Sequence, residues 1–303
     1  MELIDIIEEY DYHCLAKGFT KKTMINKRQE LKQMRIFLQE KRGIKKLENI
    51  YVDDLKAYIR SKQKAGLQAT SIISMHKMVS AFFNWCVKEE YLKENPMRKV
   101  ERPKAHKKLL KGFTQEEVRD MINAFNSKTF IEARNKAIIA TLADTGLRAM
   151  ELRELPFDAV RETSIIVNGK GNKERIVFIS PALKKVLIKY ERLRKEYIED
   201  NEVKENCYFL TYTLKGLTHV ALDNIIKKAG KRAGIEGKRV SPHVFRHFYA
   251  VQCLTVGNID IYSLSRLLGH GDIQITERYL HSMDDEQLSN KAIPNSPLMN
   301  LNK

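Results

Sequence analysis

The 303-residue sequence has no window of about 18 uncharged apolar residues, the length a helix needs to cross a bilayer, so no membrane span is expected. Its first residues, MELIDIIEEYDYH, are acidic where a secretory signal would carry a basic stretch and then an apolar run; the protein is expected to stay where it is made. Cysteine is scarce. Cys14, Cys86, Cys207 and Cys253 form no CxxC pair and no Cys/His spacing suited to zinc, which reads as buried, reduced thiols in a cytosolic protein. There is no G-x-x-x-x-G-K-[ST] loop and no compact acidic cluster of the two-metal kind, so neither a cofactor nor a metal is expected. Internal repeats and low-complexity blocks are absent as well. What remains is length enough for two domains of ordinary size, each with its own core.

Positive charge is what the chain has in excess. Lys plus Arg number 54 against 38 Asp plus Glu, a formal +16, which favours a polyanionic partner through phosphate contacts and counterion release. Nucleic acid leads over an anionic membrane surface. Charge by itself does not separate a DNA enzyme from a ribosome-associated or merely soluble basic protein.

The first hundred residues read as helices over roughly 2–17, 20–41, 52–64 and 69–90. Ile72, Met75, Val79, Phe82, Phe83 and Cys86 recur at three- and four-residue steps, one apolar face of a helix and hence core. Thr20 and Thr70 are candidate N-caps, and Gly18, Gly43 and Gly66 fall where the chain must turn. A basic stretch, residues 98–112, carries seven Lys or Arg and one Glu; it reads as a linker, either a solvated tether or a strap along a phosphate backbone. Thr114 and Glu117 then form a capping box that opens a second domain. Helices are expected near 115–126 and 130–145. Ile165–Val167 and Arg175–Ile179 flank the turn NGKGNK as a β-hairpin, and the remainder is mostly helical, with a loosely held tail after Asn290.

Several residues could carry chemistry, and each has a bland reading when taken alone. In SPHVFRHFYA, Ser241 can cap a helix with Pro242 at its first position. His243 and Arg246 then share one face near the helix start, where backbone N–H groups attract an anion, although an H-x-x-R is usually a surface pair. Gly269 ends a helix just before His270, and Tyr279 follows nine residues later. Arg148 lies three residues before Glu151, the spacing of an ordinary surface ion pair. Lys170 at a hairpin tip would ordinarily be a solvated turn lysine.

The combination changes the weighing. In order, the chain shows TGLR with a downstream Glu, GKGNKER in a hairpin turn, HVFRH, LLGH and a tyrosine nine residues on. This set resembles the catalytic domain of the tyrosine recombinases, the phage integrase family, and is most similar to the short Xer-like recombinases. The helical first hundred residues resemble their core-binding, SAM-like domain, so the resemblance covers nearly the whole chain. It implies a mainly α fold with a small β-hairpin (α+β): a four-helix core-binding domain over 1–97, a basic linker over 98–112, a catalytic domain over 113–290 and a tail over 291–303. With the first core-like helix beginning almost at Met1, no arm-binding domain is expected before it.

Carried over residue by residue, the resemblance makes Arg148 and Arg246 phosphate-binding arginines, Tyr279 the nucleophile and Lys170 the general acid, with Lys173 in the same turn. His243 matches the first residue of H-x-x-R and is the candidate base. His270 matches the second histidine, which hydrogen-bonds the phosphate, and Glu151 matches a supporting acidic position. The implied activity is site-specific cleavage and rejoining of double-stranded DNA through a 3′-phosphotyrosine, without metal or ATP. The implied assembly is a dimer on one site and a tetramer in synapsis, in the cytoplasm on the nucleoid. The segment DDEQLSN is expected as a helix that docks on a neighbouring subunit, or else as a frayed end. Two other readings stand beside this one: a DNA-binding regulator that keeps the fold without cutting, and a nicking-closing enzyme of the type IB topoisomerase kind.

Overall fold

A computed structural model describes residues 1–105, 111–169, 174–199, 203, 205–280 and 289. The chain divides into two compact units, residues 1–108 and 109–303.

The first unit is a helical bundle of α1 (Leu3–Ala16), α2 (Lys21–Arg42), α3 (Val52–Lys64) and α4 (Ala69–Lys88). The expected apolar stripe of α4 is buried along its length, from Ile72 to Cys86, and packs with Met34 and Leu38 of α2 and Leu55 of α3. Thr20 caps α2 by accepting from the Thr23 N–H, and Gly43 ends that helix in the left-handed region at φ 69°. Thr70 is not a cap. Helix α4 begins at Ala69, with Gln68, two residues before Thr70, at its N-cap in extended backbone, which leaves Thr70 inside the first turn. Met97 and Val100 are buried in this bundle, and the imidazole of buried His76 lies 2.8 Å from the Val100 carbonyl. The first part of the basic stretch is therefore held by packing.

The second unit contains α5 (Gln115–Asn123), α6 (Phe130–Thr145), α7 (Ala149–Arg153), β1 (Ser164–Asn168), β2 (Glu174–Phe178), α8 (Pro181–Ile198), α9 (His219–Arg232), α10 (Pro242–Thr255), α11 (Ile261–Leu268) and α12 (Gln274–Leu280). The Thr114–Glu117 capping box forms as expected and starts α5. Helix α6 runs through the core: Ala137, Ile138, Ile139 and Leu142 are all buried, and α5, α8, α9 and α10 pack around it. The hairpin is antiparallel, pairing Ser164 with Phe178 through to Asn168 with Glu174. Side chains alternate across a strand, so Ile165 and Val167 point inward from β1 while Val177 does so from β2. Arg175, two residues before Val177 and paired with Val167, shares that inward face. A smaller apolar cluster of Ala250, Leu254, Leu264 and Leu268 joins α10 to α11, with Tyr249 and Tyr279 packed against it.

Cys14 and Cys86 are buried free thiols, whereas Cys207 and Cys253 are only half-buried. Lys170, Lys173, the tail over 291–303 and, apart from Ser289, the DDEQLSN segment lie outside the described residues.

Candidate active site

Helix α6 stops where Gly146 turns left-handed, at φ 60°. A side chain there would meet the Tyr249 ring at 2.4 Å, so only glycine fits. Two residues later Arg148 is the N-cap of α7. Its backbone N–H donates to Glu151 Oε2 and its Nη1 to Glu151 Oε1, both at 2.8 Å. Sequence spacing suggests a surface ion pair here, and the structure corrects that: the Glu151 side chain is only 5% exposed, against 39% for Arg148. A buried carboxylate needs further donors. They come from Arg175, whose Nη1 and Nη2 donate to Glu151 Oε1 and Oε2 at 2.8 Å each.

Arg246 sits in the first turns of α10 and is 2% exposed. Its Nη1 donates to the Gly146 carbonyl at 2.8 Å, and its Nη2 to the Leu268 carbonyl at 2.7 Å. The end of α11 accepts three arginines on three successive carbonyls. Arg175 Nε reaches Leu267 O at 2.9 Å, Arg246 reaches Leu268 O, and Arg148 Nη2 reaches Gly269 O at 3.1 Å. These carbonyls lack helical partners and carry the negative end of the helix dipole, which suits them to hold cations. Gly269 closes the helix at φ 65°, as its position in LLGH suggests.

His270 follows directly. Its Nε2 lies 2.9 Å from Arg246 Nη2 and its Nδ1 2.8 Å from Thr276 Oγ1. The imidazole stacks on the Tyr279 ring at 6.2 Å with the planes 14° apart, while the His247 ring meets Tyr279 edge-on at 5.6 Å. Tyr279 is half-buried on α12. His243 occupies the first turn of α10, exposed at its edge, with Arg246, Arg239 and Arg148 near enough to affect its charge. Ser241 is the N-cap of that helix, but its hydroxyl is buried without a partner and makes no capping bond, contrary to the sequence expectation. Pro242 does take the first helical position.

Among the described residues this is a cationic centre with one carboxylate, Glu151. Burial opposes ionisation of Glu151, but the hydrogen bonds and charges of Arg175 and Arg148 outweigh it and bring its pKa down to about 2. Burial and then repulsion by Arg148 lower Arg246 to about 10. Burial, followed by the charges of Arg246, Arg148 and Arg175, brings His270 down to about 4. His243 is lowered by desolvation and then by Arg246, Arg239 and Arg148; His247 is lowered by burial and then by His243.

Of the six candidate catalytic residues, Arg148, Arg246, His270 and Tyr279 are thus brought together, His243 borders them, and Lys170 is not described. Three further residues of this centre receive no role from the motifs: Arg175 and His247, which end GKGNKER and HVFRH, and Thr276, which lies in none. Arg175 had a local signal, because period-two alternation along β2 puts it on the same face as Val177. An arginine on an inward strand position calls for a buried acid.

Fold and site together define a mainly helical, basic protein with an arginine, histidine and tyrosine centre whose chemistry suits an anion. Residues 111–286 match the Phage integrase family and residues 2–105 match the Phage integrase SAM-like domain. The chain belongs to the phage integrase family of tyrosine recombinases. It is 30% identical over 259 residues to tyrosine recombinase XerC of Caldanaerobacter subterraneus subsp. tengcongensis, covering 83% of this chain and 70% of that protein. It is 26% identical over 280 residues to tyrosine recombinase XerD of Listeria monocytogenes, covering 91% and 94%. Among solved structures, XerA recombinase is 25% identical with a TM-score of 0.55, covering 98% of this chain and 99% of that one. A lambda integrase dimer bound to a COC′ core site shares the fold at 19% identity and a TM-score of 0.71, covering 91% and 97%. No helix among the described residues is long and apolar enough to cross a membrane.

Proposed function

We propose that this protein is a site-specific recombinase that cleaves and rejoins double-stranded DNA with Tyr279 as nucleophile. The observation that carries the reading is the gathering of Arg148, Arg246, His270 and Tyr279 from four separate chain segments into one cationic centre. A phosphodiester gains negative charge on its non-bridging oxygens as a nucleophile approaches, and fixed cations favour that state. Arginine suits the task because its planar fork stays protonated and donates in parallel. Two of these forks are held by backbone carbonyls before any substrate arrives, so little reorganisation is needed during the reaction.

The Tyr279 oxygen forms a bond to phosphorus as the bond from phosphorus to the 5′ oxygen breaks. The phenolic proton passes to a base, for which His243 is the candidate, and the leaving 5′ oxygen takes a proton from Lys170. The products are a 3′-phosphotyrosine and a free 5′ hydroxyl. The ester conserves the bond energy, so attack by a 5′ hydroxyl reverses the step without a nucleotide. The first helical unit serves as the core-binding domain, and the second carries the catalytic domain, which starts at residue 113. The fold's relatives include a lambda integrase dimer on a core site and a lambda integrase tetramer on a Holliday junction, and we read the same assembly into this chain. Its place is in the cytoplasm, on the nucleoid.

The test is selection from a library of nicked duplexes with randomised centres. The expected result is a covalent adduct mapped to Tyr279, from which sequencing gives the recombination site. Binding without any adduct would identify a regulator on this fold. Plasmid relaxation without exchange between paired sites would identify a topoisomerase of the type IB kind.

A further inference from the structure

Strand β2 turns an arginine toward the protein interior at a position where an apolar residue would be usual. The Arg175 side chain is 9% exposed and bonds through all three of its nitrogens, two to Glu151 and one to Leu267 O. Each oxygen of Glu151 accepts one bond from Arg175 and one from Arg148. Arg148 has one other described anchor, the Gly269 carbonyl, two residues beyond the carbonyl that Arg175 holds. Arg175 therefore touches both supports of Arg148, Glu151 directly and the end of α11 at Leu267 O, where Arg246 holds the next carbonyl.

We infer that Arg175 is a positioning residue for strand cleavage: by fixing Glu151 and the end of α11 against β2, it sets the direction in which Arg148 faces the scissile phosphate. This rests on the recombinase reading above. A buried ion pair is weak grounds for a stability role, since a well-packed apolar pair can replace it at little cost. Precise aim of a phosphate-binding fork is something an apolar pair does not supply. Without Arg175, the buried Glu151 also takes a proton more readily. The charged groups that face it are Arg148 at the start of its own helix, Arg175 on β2 and Arg246 on α10, and the neutral but titratable His270 follows α11.

The experiment uses the full chain and a nicked duplex carrying the selected site. Adduct formation is measured in single turnover, with DNA affinity, melting temperature and pH dependence, for Arg175→Met and Arg175→Lys. Arg175→Met is expected to form adduct about 100-fold more slowly per folded molecule, the scale of a misplacement near 1 Å, while DNA affinity changes by less than about threefold. Its rate should fall more steeply on acidification than that of the unaltered protein. Arg175→Lys should recover part of the rate, because it returns the charge without the two-pronged bond. A rate that merely tracks the folded fraction, or an unchanged pH profile with no recovery in Arg175→Lys, overturns the role. If Arg175→Met does not fold, Arg175→Lys decides: an unaltered rate per folded molecule overturns the role, and a slower rate with intact affinity and a steeper acid fall supports it. No adduct with the unaltered protein would instead overturn the recombinase reading, and this role with it.

Discussion

Arg246 donates to His270: Nη2 of the guanidinium lies 2.9 Å from Nε2 of the imidazole, and a guanidinium has no acceptor to offer. Nε2 must therefore carry a lone pair. The ring proton is on Nδ1, which donates to Thr276 Oγ1 at 2.8 Å, so His270 is neutral and its tautomer is set from both sides. In this form both ring nitrogens are already bonded, so donating to a phosphate, the role the resemblance implies, requires one of these contacts to open.

This neutrality has a pH signature. His270 has a folded pKa of about 4 against an ordinary 6.5. The unfolded chain binds more protons between these values, so stability is fully present above the ordinary pKa and is lost as pH falls toward the folded one. His243 and His247 shift in the same direction. Melting temperature should fall as pH drops from about 7 to about 4.5, and His270→Gln should flatten that slope. An equal slope in the variant would show that the loss arises elsewhere.

Tyr279→Phe keeps the ring that stacks on His270 and packs against the α10–α11 cluster, and removes only the oxygen proposed as nucleophile. Fold and specific DNA binding should survive while covalent adduct disappears entirely. Adduct persisting in this variant would move the nucleophile to another residue, and peptide mapping would say which.

The two arginines should separate in stability while agreeing in activity. Arg148 is 39% exposed, and its loss leaves Glu151 still paired with Arg175, so Arg148→Ala should melt close to the unaltered protein. Arg246 is 2% exposed, and Arg246→Ala strands two carbonyls, at a cost of about 1–3 kcal/mol each. Each variant should lose cleavage by about 100- to 1,000-fold, with a much smaller change in DNA affinity. Parallel loss of affinity and cleavage would make them anchors on the DNA backbone.

Gly269→Ala should be damaging for two independent reasons. Its φ of 65° is left-handed, which costs an alanine about 1–2 kcal/mol. A Cβ there also lies 2.7 Å from Cδ of Arg175, a side chain pinned at its other end. Gly234 is the control: its φ is similar, +67°, and nothing lies within 4 Å of a Cβ. Gly269→Ala should lose cleavage as well as stability, whereas Gly234→Ala should lose stability alone. Measured melting temperatures and single-turnover rates for the pair decide this.

Much of this molecule was legible in the chain itself. Period-3.6 stripes marked α4, alternating β-branched runs marked the hairpin, and Thr114 with Glu117 marked the start of the second unit, because each signal acts within a turn or two of backbone. The ordered motifs likewise singled out Arg148, Arg246, His270 and Tyr279, which the fold brings together, and His243, which borders them. Errors fell where neighbouring local signals competed, as at Thr70, which lies inside a helix that Gln68 begins, or at Ser241, whose hydroxyl is buried without bonding. Only tertiary structure decided how the centre is held. The groups that fix Arg148, Arg175 and Arg246 at the end of α11 are the carbonyls of residues 267, 268 and 269, and a backbone carbonyl is the same in every residue. Which arginine meets which carbonyl depends on how α7, β2 and α10 pack around one helix end, and no side-chain identity encodes that.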